Sequence, residues 1–267
     1  MKLVSLASDF GVQTQGIAAM KGSILEICPD ARIIDLMHGL PSYNLWSAAR
    51  TMETACFLPK GAHVCVVDPG VGTKRKGIAI ETKRGDFLVG PDNGVLMSAI
   101  RFFQGFERAV SIDNLQYARQ PVSPIFHGRD VFSPAAAHLV KGVSISELGA
   151  PVSLDQLVPC PFPEAKPEGN TLSCRILHVN QFGSIHLNLL ASVLDEWGVK
   201  EGDYLLMEQP GQLPIKIPFR KTFGDVFVGS PVLLKDDYGR VELAINQASF
   251  SEKFDLKQKD LLVFHRS

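Results

Sequence analysis

The sequence predicts an N-terminal, mostly parallel α/β sandwich domain followed by a smaller C-terminal all-β barrel domain. Three observations carry that expectation. Strand-like runs alternate with helical patterns over residues 1–157, a proline-rich segment fills 158–170, and short turn-punctuated strand runs occupy 171–267.

Residues 3–7 form a strand candidate that ends in Ser8-Asp9-Phe10-Gly11, and a helical pattern over 16–27 is stopped by Cys28-Pro29-Asp30. Residues 32–36 are again strand-like, and 45–57 read as a helix with Ala48, Met52 and Cys56 on one side. The continuous apolar run 62–67 suits a buried strand and ends in Asp68-Pro69-Gly70-Val71-Gly72. Two further strands, 77–82 and 86–89, lead to Gly90-Pro91-Asp92-Asn93-Gly94 and a helical pattern over 95–103; a last helix spans 133–141. The segment 158–170 (VPCPFPEAKPEGN) has the composition of a linker. Beyond it, strand runs at 173–179, 184–190, 203–207, 214–218, 231–234, 241–245 and 260–264 suit a small barrel.

Composition narrows the function. The chain has 267 residues, 45% of them hydrophobic, and a formal net charge of only -1, so it has no global attraction for nucleic acid or an anionic membrane. The densest basic cluster is the short run 74–76. A small-molecule site is expected. Five cysteines (Cys28, Cys56, Cys65, Cys160, Cys174) are scattered without CxxC spacing, which argues against a disulfide framework and a zinc site. The first apolar run is interrupted at Asp9, and no apolar stretch reaches about eighteen residues. A cytoplasmic protein with no membrane partner, no nucleic-acid partner, no metal and no cofactor is the expectation.

Three strand runs end with an Asp beside Gly or Pro or near them: Asp9, Asp68 and Asp92. One such Asp is most simply a turn former, but three at one edge of an open sheet would floor a ligand site. Gly70-Val71-Gly72 lacks the third glycine of a dinucleotide loop, no P-loop lysine follows 72–77, and no GxSxG elbow occurs. The informative stretches are VVDPGVGTKRKGIAI (66–80), with Asp68 and Arg75, and FHGRDVFSPAAAHL (126–139), with His127, Arg129 and Asp130. A histidine is readily poised for proton transfer near neutral pH, and an arginine supplies fixed positive charge beside a developing hydroxide. Asp68, Arg75 and His127 could therefore position and polarise a water molecule. The competing reading pairs Arg75 with a surface carboxylate and makes Arg129–Asp130 a structural ion pair at a helix start.

At these motifs the chain resembles the S-adenosylmethionine hydroxide adenosyltransferases, the adenosine-forming hydrolases related to fluorinase and chlorinase. The likeness rests on Ser8-Asp9-Phe10-Gly11, Asp35-Leu36-Met37-His38, Val67-Asp68-Pro69-Gly70-Val71-Gly72-Thr73, Gly90-Pro91-Asp92-Asn93-Gly94, Phe126-His127-Gly128-Arg129-Asp130 and Thr222-Phe223-Gly224-Asp225-Val226, in one order over nearly the whole length. It implies hydrolysis of S-adenosyl-L-methionine to adenosine and L-methionine, in a homotrimer with sites between subunits. It also implies that Asp68, Arg75 and His127 activate the water, and that Asp9 takes the ribose hydroxyls with Phe10 and Tyr43 beside it. Asp92 and Asn93 line the pocket, and Phe182 packs on the adenine from the barrel domain. His127 in place of a small hydroxyl residue favours water over halide.

The barrel domain departs from the family pattern. Asn180-Gln181-Phe182-Gly183-Ser184 stands where relatives commonly read Asp-x-Phe-Gly-Asn, and Asp236-Asp237-Tyr238-Gly239 where they often carry Asn-Ser. Loss of a carboxylate at Asn180 removes a charge-assisted bond to the methionine ammonium, worth about 1.5–3 kcal/mol. Asp236 or Asp237 is a candidate replacement, with an exposed β-turn as the alternative role for both. Asn180, Ser184, Asn188, Asn246 and Ser249 are further polar candidates for the pocket. Two rivals stay open at this point: a halogenase forming 5′-halo-5′-deoxyadenosine, and a non-catalytic protein that binds S-adenosylmethionine or adenosine. His38 is expected to be structural, and the remaining histidines have no metal spacing.

Overall fold

The apolar runs of the first half assemble into a seven-stranded sheet of order β2-β1-β3-β5-β4-β6-β7. The strands are β1 (Leu3–Ser8), β2 (Arg32–Met37), β3 (Ala62–Val66), β4 (Gly77–Thr82), β5 (Phe87–Pro91), β6 (Phe106–Ser111) and β7 (Pro151–Val152). A computed structural model describes residues 2–266, and the chain divides into two compact units, Met1–Pro161 and Phe162–Ser267.

In the first unit β2, β1, β3 and β5 run parallel, whereas β4, β6 and β7 join antiparallel. The sheet is thus mixed, with its parallel part on one side. Helix α1 (Gln15–Ile27) begins where the Thr14 side chain accepts a hydrogen bond from Gly16 N–H. With α3 (Ser133–Lys141) it covers one face: Met20, Ile24, Ala135, Ala136 and Leu139 pack on Val4, Leu6, Val64 and Val66. Helix α2 (Leu45–Thr54), capped by Asn44, covers the other face, where Ala48 and Met52 meet Ala7, Cys65 and Val67. Both faces of β3 are buried, which explains its unbroken apolar run.

One expectation is corrected here, and one strand comes in addition to those expected. Residues 95–103 form tight turns followed by a 3-10 helix, Ala99–Phe103, in place of an α-helix. Val95, Leu96, Ala99, Ile100 and Phe103 are all buried and Arg101 alone is exposed, so the run is too apolar for its pattern to tell an α-helix from buried turns. Strand β6 is not legible in the sequence, because Glu107 and Arg108 lie exposed within it and break the apolar run.

One polar chain crosses the core. Ser5 Oγ lies 2.8 Å from His63 Nδ1, and His63 Nε2 lies 3.2 Å from Asp86 Oδ1, all three residues being buried. Arg84 and Gly61 N–H also donate to Asp86. Burial alone would raise the Asp86 carboxyl, but hydrogen bonds from His63, Arg84 and Gly61 outweigh it and hold the group at about 2.

The second unit is an antiparallel sheet of order β12-β11-β15-β9-β10-β14-β13, with β8 (Pro167–Glu168) paired to β9. Its other strands are β9 (Thr171–Val179), β10 (Ile185–Leu190), β11 (Tyr204–Glu208), β12 (Ile215–Pro218), β13 (Pro231–Lys235), β14 (Arg240–Ile245) and β15 (Leu261–Arg266). An isolated bridge, Phe219 to Leu233, joins the chain after β12 to β13 and nearly closes the barrel. Alternate residues of these strands, among them Cys174, Ile176, Leu187, Leu205, Leu243 and Phe264, fill the interior with Trp197 and Phe250. Two short helices, α4 (Ala191–Glu196) and α5 (Phe250–Lys253), complete the unit.

The break between units falls inside the proline-rich segment. From residue 162 onward that segment is built into the second unit: Ala165 joins its core, and Glu164 accepts bonds of 2.8 and 2.9 Å from Arg240, which is fully buried.

Candidate active site

Strands β1, β3 and β5 are parallel neighbours, so their carboxyl ends lie side by side. Asp9 follows β1, Asp68 follows β3 and Asp92 follows β5. The antiparallel β4 starts at this same edge, because Gly77 pairs with Pro91. Arg75, just before β4, is thereby returned to the edge that carries Asp68. This is the position at which open α/β sheets bind ligands.

The loop between β3 and β4 is folded tightly. Val71 N–H donates to Asp68 C=O at 3.3 Å, and Thr73 N–H to Gly70 C=O at 3.1 Å. Arg75 Nε donates to Asp68 Oδ1 at 3.0 Å and its Nη2 to Asp68 Oδ2, with side chains only 8% and 5% exposed. The same Nη2 lies 3.1 Å from His127 Nδ1. A guanidinium has no acceptor, so the imidazole must accept there; the contact fixes a neutral His127 with its proton on Nε2. Burial, and then the Arg75 charge, lower the His127 pKa, while Asp68 and Asp130 oppose them.

His127 is delivered by a single π-helical turn, Gly128–Phe132, closed by Ser133 N–H donating to Gly128 C=O. Such turns recur at functional sites. Gly128 is needed for close approach, since a β-carbon there would lie 2.9 Å from Val66 Cγ1 at the end of β3. The buried Asp130 anchors the loop by accepting from Ser123 N–H at 2.8 Å and from Arg129 Nε and Nη2 at 2.6 and 2.8 Å. Arg129 and Asp130 thus form the structural ion pair that the sequence left open, whereas Arg75 bridges Asp68 and His127.

Asp9 Oδ2 accepts from Tyr43 N–H at 2.8 Å, and Tyr43 takes up a left-handed backbone (φ 61) and is 71% exposed. That conformation is costly for a residue with a β-carbon and persists only where its surroundings hold it. Phe10 packs edge-on against Phe126, 5.7 Å between centroids, which ties the Asp9 turn to the His127 loop. His38 is buried between Ser8 Oγ at 2.7 Å and Asp35 Oδ1 at 3.1 Å. Asp92 Oδ1 accepts from Val158 N–H at 2.9 Å, and Asn93 Nδ2 donates to Val67 C=O at 2.9 Å, linking the ends of β5 and β3.

In the second unit Asn180 Oδ1 accepts from Phe182 N–H and Ser184 N–H, both at 3.0 Å, and the turn leaves Phe182 71% exposed. Ser184 is buried. Asn188 spends its amide on the unit's own backbone, accepting from Arg175 N–H at 2.7 Å and donating to Pro163 C=O at 2.8 Å. Asn246 Nδ2 donates to Val226 C=O at 2.9 Å, and Ser249 caps α5. Asp236 shapes the β13–β14 turn: Oδ1 accepts from Tyr238 and Arg240 N–H, and Oδ2 lies 2.9 Å from His186 Nδ1. Asp237, next to it, is exposed. Among the described residues no cluster of three or more His, Cys, Asp or Glu is arranged to hold a metal ion, and no helix is long and apolar enough to cross a membrane.

Comparison with known proteins points to one family. The profile of the SAM hydroxide adenosyltransferase N-terminal domain matches residues 4–149, and that of the C-terminal domain matches residues 174–263. The chain is 34% identical to a protein of Salinispora tropica named (R)-S-adenosyl-L-methionine hydrolase, over 91% of this chain and 90% of that one. It is also 34% identical to a protein of the same name from Thermus thermophilus, over 97% of each. The crystal structure of an uncharacterized conserved protein from Thermotoga maritima superposes with a TM-score of 0.90 at 28% identity, covering 98% of this chain and 100% of that one. With both profiles matched in order and relatives alike over nearly their full length, the chain belongs to the SAM hydroxide adenosyltransferase family.

Proposed function

We propose that this chain hydrolyses S-adenosyl-L-methionine to adenosine and L-methionine, with water as the nucleophile. The observation that carries the reading is the Arg75 guanidinium, which donates to Asp68 and to His127 at once at the carboxyl edge of the parallel strands. The relatives' names support the same chemistry, and their prefix extends the proposal to the (R) sulfonium epimer as substrate.

The sulfonium leaves as a neutral thioether, so the leaving group needs no acid. The water oxygen bonds to C5′ as the C5′–S bond breaks, and that bond's electron pair goes to sulfur. The new oxonium then releases a proton. Arg75 occupies one lone pair on each Asp68 oxygen, and each oxygen keeps another for a hydrogen of the water. Asp68 therefore orients the water and takes the proton. His127, with its hydrogen on Nε2, donates to the water oxygen and leaves a lone pair free for C5′. The protein contributes alignment and exclusion of bulk water, the effects that this substitution most needs.

On this reading Asp9 holds the ribose hydroxyls beside Phe10 and Tyr43, Asp92 and Asn93 shape the floor, and Phe182 stacks on adenine. The turn of Asn180 and Ser184, with Asp237, receives the methionine end, and Asn188 and Asn246 brace the surrounding backbone. We further propose a cytoplasmic homotrimer with sites between subunits, needing no cofactor beyond the substrate. The exposed aromatic residues Tyr43 and Phe182 support that assembly, since each residue is 71% exposed on the single chain. Light scattering on the purified protein measures it directly.

A halogenase is disfavoured because the Arg75 charge is already matched by Asp68, so a halide would meet a carboxylate and a neutral imidazole. Chromatography of S-adenosylmethionine incubations separates the rivals. The proposal expects adenosine without added halide and its loss in His127→Ala. Halide-dependent 5′-halo-5′-deoxyadenosine, or untouched substrate, overturns it.

A further inference from the structure

The fully buried Phe132 meets two members of the water-activating set. Its ring centroid lies 5.3 Å from the Arg75 guanidinium carbon, and 6.4 Å from the His127 ring centroid at an interplanar angle of 84°. A cation over an aromatic face is held by the ring quadrupole, and perpendicular ring pairs are a favoured contact. A β-carbon added at Gly77 would come within 3.0 Å of Phe132 Cε1, so the start of β4 leaves the ring little play.

The backbone explains why a residue five positions after His127 returns to it. On an α-helix of 3.6 residues per turn, residues five apart point about 140° away from each other. Here the turn is closed five residues apart, from Ser133 N–H to Gly128 C=O, which brings His127 and Phe132 back toward the same side.

We propose that Phe132 is a positioning residue for the reaction, holding the Arg75 guanidinium and the His127 imidazole in the plane and tilt that present a water to C5′. The proposal rests on the hydrolytic reading above and assigns Phe132 no contact with substrate. Its effect passes through Arg75 and His127.

The test uses the full chain with F132L, with G77A (which displaces the ring without removing it), and with R75A alone and combined with F132L. Phe132→Leu should lower kcat about 10- to 100-fold with little change in KM, the scale of a misplaced catalytic group. In the R75A background the same change should cost far less, because coupled residues are not additive. Side-chain NMR should show the His127 titration moving up toward the ordinary histidine value in both F132L and G77A. Equal losses in both backgrounds, an unchanged kcat or an unmoved titration overturns the proposal. If F132L does not fold, G77A carries the same readings. If the wild-type chain does not hydrolyse the substrate, the functional reading fails, while the titration still shows whether Phe132 holds the Arg75–His127 pair in place.

Discussion

Arg75 Nη2 and His127 Nδ1 stand 3.1 Å apart, and only the arginine has a hydrogen to give. That one contact sets the tautomer of the histidine and links it to Asp68 through a shared guanidinium. A lysine would supply charge without the planar fork that serves two partners together. Arg75→Lys is therefore expected to lower kcat about 100-fold while KM for S-adenosylmethionine stays near the wild-type value. Steady-state kinetics check it, and a change confined to KM speaks against the assignment.

The pH dependence follows from His127. Burial and the Arg75 charge depress its pKa, so the acid limb of kcat should fall below the ordinary histidine value of about 6.5. Stability has the same sign. Below about 6.5 the unfolded chain takes up a proton that the folded chain refuses, so acidification through that window, down to the folded value, destabilises the fold. His138, lowered by burial and by Lys141, adds to the trend. A pH–rate profile and melting temperatures across pH 5–8 measure both. An acid limb above the ordinary value contradicts the account.

Asp9→Asn keeps the shape of the side chain and removes its charge. Losing charged hydrogen bonds to the ribose, worth about 1.5–3 kcal/mol, should raise KM about 10- to 100-fold. Initial-rate measurements over a range of substrate decide it; an unaltered KM removes Asp9 from the ribose site.

The buried row of Ser5, His63 and Asp86 has the composition of a hydrolytic triad, but all three side chains are closed off from solvent and serve the core. Asp86→Asn should cost about 3 kcal/mol of stability by stranding its buried partners. The carboxyl sits at about 2, below the ordinary value of about 3.9; its contribution is complete above the latter and is lost as pH falls toward the former. Denaturant unfolding reads the loss, with kcat unchanged at a temperature where the variant is folded. A drop in kcat without loss of stability would falsify the structural assignment.

Asp236 accepts hydrogen bonds within its own turn and lies beside His186, while Asp237 next to it is exposed; on the proposed reading Asp237 is the carboxylate that receives the methionine ammonium. Asp237→Asn should raise KM markedly at constant kcat. If KM does not move, the ammonium is held elsewhere.

Much of this site is legible in the sequence because its polar residues interrupt apolar strands. Asp9, Asp68 and Asp92 each follow such a run, and the β-barrel strands announce themselves by turns. Strand order is not legible: nothing local says that β4 enters antiparallel beyond β5, which is what brings Arg75 back toward Asp68. Phe132 was invisible for a related reason. Helical spacing points it away from His127, and only the wider turn after Gly128 reverses that. The part that Asn180 plays in holding its turn with the side-chain oxygen is legible only from its backbone partners.

The central claim is that the oxygen delivered to C5′ comes from water held by Asp68, Arg75 and His127. Incubation of the enzyme with S-adenosylmethionine in water enriched in oxygen-18, followed by mass spectrometry of the adenosine, tests it most directly. The account predicts the heavy isotope at the 5′-hydroxyl, with label and product both lost in His127→Ala. Adenosine formed without the label would contradict it.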